Sequence, residues 1–507
     1  MMLQAKWYAL AKAGIAVVSL STQLVLVRFL AIEDYAAYTL FVAAAGVLVF
    51  LTMFGMDRVI YRFMPPLREQ FHWREALQLM GGMLLARLAL MAILLFLLYL
   101  GAQFLLPRQI VAQLWDIRLH LAAYAALLAV SDSLVIFCNS FGLQRAQAGL
   151  FFLAGAIRMA AVALIVMATT LNAQEVARVF YLTEGLLVTA LLAVLAREIS
   201  SIRQRDRPGA AAGTIPVREV VRDALSTQAA YLVGFPFKGA LLKLVVGAVS
   251  PPVVTAAFGF FQTMADRAYQ FMPVFMLKGM LEPALASDYA TRRDPERVRM
   301  TVSLLLRFNF LIIFLGIAML AGCGEPLVDW VTRGRYGQHM ALAILIAVQL
   351  LGMTVGECMF FALNPLGRVA HHNRMWMWFS LPFLLALGLA ALHGNAHILV
   401  LVATLPYLCV YAWLRWVARE AGLDAGLGMG AGGMVRLLFA CAAGAGAARI
   451  VLLLPLGWPA IVGALFATLL VYLLTLRLLG FFHRDEISKV DKLSPRLAQL
   501  LRPFATT

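Results

Sequence analysis

Apolar residues in this chain arrive in runs of about twenty, separated by short polar breaks that carry glycine or proline, and not in the alternating or one-faced patterns of water-soluble elements. About twenty helical residues cross the ~30 Å of a bilayer's hydrocarbon. The pattern predicts fourteen such helices, near residues 9–30, 36–56, 77–100, 119–140, 147–170, 179–196, 224–249, 253–276, 300–322, 340–362, 375–392, 396–414, 434–454 and 459–480. Composition agrees with the pattern: 63% of the 507 residues are hydrophobic and 13% charged, with a mean hydropathy of +0.85. A water-soluble globular protein is excluded, and the expected fold class is an all-α, multi-pass membrane protein.

Charge changes the picture by giving it a direction. The 42 Lys and Arg exceed the 26 Asp and Glu, and they sit mostly in short connections between apolar runs. With a cytoplasmic N-terminus, most of these cations fall on the cytoplasmic side, as the positive-inside rule requires. Both termini are then expected in the cytoplasm. Lys6 and Lys12 precede an apolar run that continues to about Leu30 without a small-residue cleavage site, so the first run reads as a retained span and not a secretion signal. The basic tail with Arg484, Lys489, Lys492, Arg496 and Arg502 is expected beside anionic headgroups. The excess of cations serves topology and does not call for nucleic acid as a partner.

Two non-membrane stretches punctuate the chain. Residues 198–223, with Arg203, Arg205, Arg207, Pro208, Gly209 and Pro216, suit a basic linker; a Gly-rich stretch from Ala421 precedes the last two spans. The expected organisation is an N-lobe of six spans (1–197), the linker, a C-lobe of six (224–420), a helix pair (421–480) and a cytoplasmic tail (481–507). An internal repeat supports six plus six: Pro65, Arg87 and Arg145 have counterparts in Pro283, Arg307 and Arg368, at offsets of 218, 220 and 223 residues. Six spans return the chain to its starting side, so the halves would share one topology, as in secondary transporters.

Charged side chains inside apolar runs carry the functional information, because each costs about 2.5–3.5 kcal/mol at the bilayer centre on insertion scales. They are Arg87, Asp132, Arg158, Glu184, Lys238, Lys243, Asp266, Arg267 and Glu357, with Arg28 at the end of the first span. Lys238 and Lys243 lie near Pro236, and Asp266 and Arg267 precede Pro273; prolines bend helices and free backbone groups where a cavity is lined. Lys238 and Lys243 are about 140° apart around a helix, so both cannot face one ligand. The acids have two readings. Asp132, Asp266 and Glu357 are candidates to bind H+ or Na+, since desolvation brings a carboxyl toward the range where it exchanges protons; alternatively Asp132 and Glu357 neutralise a cation such as Arg87 or Arg158.

Other constellations are weak. His393 and His397 are four apart across Gly394 with no third ligand, and His371 and His372 sit in a basic loop, so no metal is expected. Cys138, Cys323, Cys358, Cys409 and Cys441 lack disulfide or zinc spacing. Nucleotide-binding and hydrolase motifs are missing, so no cofactor and no enzyme activity are expected.

Several stretches resemble a known family. Val27-Arg28-Phe29-Leu30 with Glu33-Asp34-Tyr35-Ala36-Ala37-Tyr38 is similar to its R-hydrophobic-L-G-P-E-x-Y-G-x-Y passage into the second helix. Phe54-Gly55-Met56-Asp57-Arg58 and Arg62-Phe63-Met64-Pro65 follow that helix. In the second half, Glu282-Pro283-Ala284-Leu285, Arg335-Tyr336-Gly337 and Asn364-Pro365-Leu366-Gly367-Arg368 occupy corresponding places. Over most of residues 9–420 the chain thus resembles the multidrug/oligosaccharidyl-lipid/polysaccharide (MOP) superfamily, in particular Wzx-type polysaccharide and O-antigen flippases. One departure is Ala31-Ile32, where Gly-Pro is usual.

The resemblance implies two six-helix lobes enclosing a cavity, lined chiefly by spans one, two, seven and eight, and an alternating-access cycle. The implied substrate is a polyprenyl-diphosphate-linked oligosaccharide, moved from the cytoplasmic to the outer leaflet of the bacterial inner membrane for surface polysaccharide biosynthesis. Polysaccharide polymerase and other assembly proteins, and membrane lipids, are the implied partners. Arg28, Arg58, Lys238, Lys243 and Arg267 become the candidate substrate-binding residues, because cations offset the lost hydration of a diphosphate. A drug or cation antiporter of the same superfamily is the alternative. A polymerase or ligase is disfavoured, since the longest external connection, about 101–118, offers only Arg108 and Arg118.

Overall fold

The computed structural model describes residues 2–69, 73–105, 107–204, 217–234, 239–276, 285, 289, 293–363, 369–420, 431–454 and 457–481. Every element among them is helical: α1 (Met2–Phe29), α2 (Ile32–Leu51), α3 (Met56–Glu69), α4 (Trp73–Leu105), α5 (Arg108–Leu114), a 3-10 turn (Trp115–Ile117), α6 (Arg118–Ser140), α7 (Gln144–Ala168), α8 (Ala173–Gln204), α9 (Val217–Gly234), α10 (Gly239–Val249) and α11 (Pro252–Gln270). Then come α12 (Pro295–Thr332), a 3-10 turn (Gly337–His339), α13 (Met340–Leu363), α14 (Val369–Leu392), α15 (Ala396–Glu420), α16 (Ala431–Leu452) and α17 (Trp458–Leu478). An all-helical build follows from the solvent, because only helices or closed barrels satisfy backbone polar groups in hydrocarbon.

Among the described residues nine stretches are long and apolar enough to cross a membrane, and four shorter apolar helices join them. Each of the fourteen expected spans falls on a helix, the seventh being shared between α9 and α10. The α11 helix is long enough, but Gln262, Asp266, Arg267 and Gln270 make its second half polar. The chain is a multi-pass membrane protein.

Contacts divide it into two compact units, Met1–Phe260 with Ala391–Ala396, and Phe261–Ala390 with His397–Thr507. In the first, α1 packs on α7, α6 on α8, and α2 on α6, α8 and α10. Small residues permit the closest approaches: Gly247 in α10 faces Leu40, and Gly259 in α11 faces Thr39. The Asp34 carboxylate caps α8 by accepting from the Ala173 backbone N–H at 3.0 Å. Tyr35 and Tyr38 are tied to Gln23 of α1, whose Nε2 donates to the Tyr38 hydroxyl at 2.6 Å. The Glu33–Tyr38 stretch that carries part of the family resemblance therefore has a packing task.

In the second unit, α12 is the spine. Asp294 caps its start by accepting from Glu296 N–H at 3.0 Å, with Pro295 in the first turn, where a missing N–H costs nothing. The helices α13, α16 and α17 pack along it. The last pair is held through small residues, a device common where helices meet in lipid: a Cβ on Gly322 would lie 2.7 Å from the Ala448 Cβ. The fully buried Tyr472 of α17 donates its hydroxyl to the Leu311 carbonyl at 2.9 Å.

Candidate functional site

In the first unit the buried charges form two linked pairs. The guanidinium of Arg87 (α4), 1% exposed, donates to the Asp132 carboxylate at 2.8 Å, to the Ser133 hydroxyl at 2.9 Å and to the Val49 carbonyl at 3.1 Å. Arg158 (α7) donates to Glu184 (α8) at 3.0 Å and to Thr183 at 2.9 Å, and its guanidinium lies 4.5 Å from the centre of the Phe180 ring. Ser131 donates to Glu184 at 2.5 Å. Three consecutive residues of α6, Ser131-Asp132-Ser133, thus connect both networks and tie together α4, α6, α7 and α8. Consecutive helical residues point about 100° apart, which is how one triplet reaches neighbours on two sides. Asp132 neutralises Arg87, one of its two expected readings.

Two candidate cations differ from these. Arg28, in the last turn of α1, and Arg267, in the last turn of α11, are half-buried and have no ion pair or hydrogen bond among the described residues. Lys243 is buried in α10 at 7% exposure. Lys238 lies outside the described residues, as do Pro283 and Arg368 of the repeat. Arg307, the expected repeat counterpart of Arg87, is half-buried in α12.

Arg58 is exposed on α3, a short helix whose other face buries Met56, Val59, Ile60 and Met64. That helix is clasped to α9. Arg62 is ion-paired with Asp223, and Glu219 lies 3.9 Å away. The Tyr231 hydroxyl donates to Asp57 at 2.6 Å, and Gln228 Nε2 to the Leu51 carbonyl at 3.2 Å. Gly55 makes the approach possible: its φ is +59°, and a Cβ there would stand 2.6 Å from the Ala224 carbonyl oxygen. Only glycine adopts that conformation without strain and also fits the gap.

The second unit assembles the acids. Asp266 on α11 accepts from Gln262 Nε2 at 3.0 Å. Asp266 and Glu357 of α13 both lie within electrostatic range of Tyr269 (α11) and Tyr407 (α15). Three helices thereby contribute two carboxylates and two tyrosines to one electrostatic neighbourhood. The α13–α15 approach is fixed at Gly352, where a Cβ would meet the Tyr407 Cβ at 2.6 Å. Sequence reading found both acids and missed the tyrosines. Tyr269 had a signal, three residues after Asp266 and so on its face of the helix; Tyr407, on a distant helix, had none.

Such a cluster has the chemistry to hold a proton or a small cation. Its carboxylates supply anionic oxygens, and the phenols can donate to an ionised carboxylate or accept from a protonated one. Among the described residues no group of three or more His, Cys, Asp or Glu side chains has metal-binding proximity.

No family model matches the sequence, and no curated protein matches it. Solved structures do. The lipid II flippase MurJ, in an inward closed conformation, superposes with a TM-score of 0.66 at 9% identity, over 92% of this chain and 97% of the flippase. A mutant of the Vibrio cholerae MATE transporter VcmN gives 0.53 at 16% identity, over 83% and 98%. An inward-facing multidrug resistance MATE family transporter of the MOP superfamily gives 0.51 at 15%, over 83% and 96%. The chain has the fold these transporters and this flippase share.

Proposed function

We propose that the chain is a Wzx-type flippase, moving a polyprenyl-diphosphate-linked oligosaccharide from the cytoplasmic to the outer leaflet of the bacterial inner membrane by alternating access. One observation carries the reading: Arg28 and Arg267, half-buried in the last turns of α1 and α11, carry no ion pair among the described residues. Half-buried cations left without an acid of this chain, while Arg87 and Arg158 take theirs, suit an anionic head group. Arg28, Lys238, Lys243 and Arg267 would meet the diphosphate, with Arg58 at the approach from α3. The fold likeness to a lipid II flippase over 92% of the chain supports a lipid-linked substrate, against 83% for the multidrug transporters. The orientation with both termini cytoplasmic and the six-plus-six organisation belong to the same reading.

A cation-coupled antiporter is the second reading, favoured by the Asp266–Glu357 cluster with its two tyrosines. The two are compatible if H+ or Na+ exchange at that cluster drives flipping, with Asp132 a weaker coupling candidate because Arg87 already holds it. The deciding experiment reconstitutes the protein in vesicles with a fluorescent polyprenyl-diphosphate oligosaccharide and follows its arrival in the leaflet open to a glycosidase. Flipping that falls at least tenfold in Lys238→Ala with Arg267→Ala, with protein levels unchanged, supports the reading. Flipping equal to empty vesicles, accompanied by efflux of a cationic dye, rejects it for the antiporter.

A further inference from the structure

The first unit holds an almost wholly apolar cavity of about 470 Å³, walled by α2, α4, α5, the start of α6 and α10. That volume lies within the range of ligand pockets. Leu48, Leu51, Leu98, Val111, Leu114 and Leu244 are among its walls. Tyr99 and Leu119, also on the wall, are 66% and 72% exposed, so the cavity is open on that side. Three of its walls are helices apolar enough to cross a membrane, and the exposed Tyr99 and Leu119 at the opening offer a surface suited to lipid.

Such a space does not stay vacant in a bilayer. Water entering it would find almost no hydrogen-bonding partner, and a void forfeits the dispersion contacts of its lining. A hydrocarbon chain meets neither objection. The rim adds a charge. Arg118 lines the cavity, its guanidinium 4.2 Å from the centre of the Trp115 ring and donating to the Trp115 carbonyl at 2.6 Å. With Arg108 and Asp116, the α5–α6 corner is positive by one charge. Arg and Trp together form the pairing that anchors proteins at the headgroup level.

We infer that this cavity binds one acyl chain of an anionic bilayer phospholipid, with its phosphodiester against Arg118. A single guanidinium matches the single charge of a phosphodiester; a diphosphate would leave a charge uncompensated, so the carrier lipid of the proposed substrate is the poorer occupant. No candidate transport residue is in its described lining, although Lys243 precedes Leu244 on the shared helix α10, and its existence does not depend on the transport reading. Its consequence is a dependence of this unit's stability on anionic lipid.

The test uses Trp115 as reporter. The full-length protein is placed in phosphatidylcholine vesicles doped with phosphatidylglycerol or phosphatidylcholine bearing brominated acyl chains, and the Trp115 signal is taken as wild type minus Trp115→Phe. Quenching at about threefold lower content of the brominated anionic lipid is expected, the scale of one exposed ion pair. Arg118→Gln should make the two lipids equal, and Val111→Phe with Leu244→Phe should remove the quenching. Equal quenching by both lipids in the wild type overturns the proposal, as does undiminished quenching in a folded cavity-filled variant. Displacement of the anionic lipid by a polyprenyl diphosphate, and not by further phosphatidylglycerol, overturns the choice of occupant. If the filled variant does not fold, the wild type and Arg118→Gln still decide.

Discussion

The guanidinium of Arg87 is bound to the carboxylate of Asp132 at 2.8 Å, with the arginine 1% exposed and the aspartate side chain 38% exposed. The asymmetry assigns the cost: the cation is the fully desolvated partner, and the acid keeps some contact with its surroundings. Removing the acid therefore strands a buried charge, whereas removing both does not.

Asp132→Ala is expected to destabilise the protein by about 3 kcal/mol, the low end for a buried pair because Asp132 is partly exposed. Arg87→Met combined with Asp132→Leu should recover most of that loss. Thermal unfolding in detergent checks both. A double variant no more stable than Asp132→Ala would mean that the pair's net attraction, and not the stranded charge, is what matters.

The acid–tyrosine cluster predicts a separation of folding from coupling. Glu357→Gln and Asp266→Asn keep side-chain shape and remove charge, so folded yield should stay within about twofold of wild type. Any H+ or Na+ dependence of transport should disappear. Transport measured with and without an imposed ion gradient is the readout; a gradient response preserved in both variants would exclude the cluster as the coupling site.

At Gly55 the positive φ and the Ala224 carbonyl act together. Gly55→Ala is expected to cost more than the ~1–2 kcal/mol of a left-handed residue alone, because the new methyl meets α9. Arg62→Ala, by contrast, removes a partner that is 57% exposed and should cost under about 1 kcal/mol. Equal losses in the two variants would show that the clasp is held by charge and not by close approach.

Two glycines of α12 offer an internal control. Gly316 has nothing within 4 Å of an added Cβ, while at Gly322 the Cβ would lie 3.0 Å from the Ala445 backbone. Gly316→Ala should be neutral or stabilising by up to about 1 kcal/mol through helix propensity. Gly322→Ala should lower the melting temperature by pushing α16 away. If both substitutions stabilise, α16 does not depend on that contact.

The sequence by itself determined the spans and the cost of the charges within them. Backbone groups in hydrocarbon must bond within their own helix, so an apolar run of sufficient length specifies its secondary structure without reference to the rest of the chain. The tertiary structure decided what each charge is for. Asp132 meets an arginine 45 positions before it, Asp266 shares tyrosines with Glu357 from another helix, and the last helix pair lies along α12. Such pairings depend on how helices rotate and approach, and those are set by side-chain packing and by small residues such as Gly322 and Gly352. Hydropathy averages that information away, so two acids of equal cost on paper became a structural partner in one unit and a candidate ion site in the other.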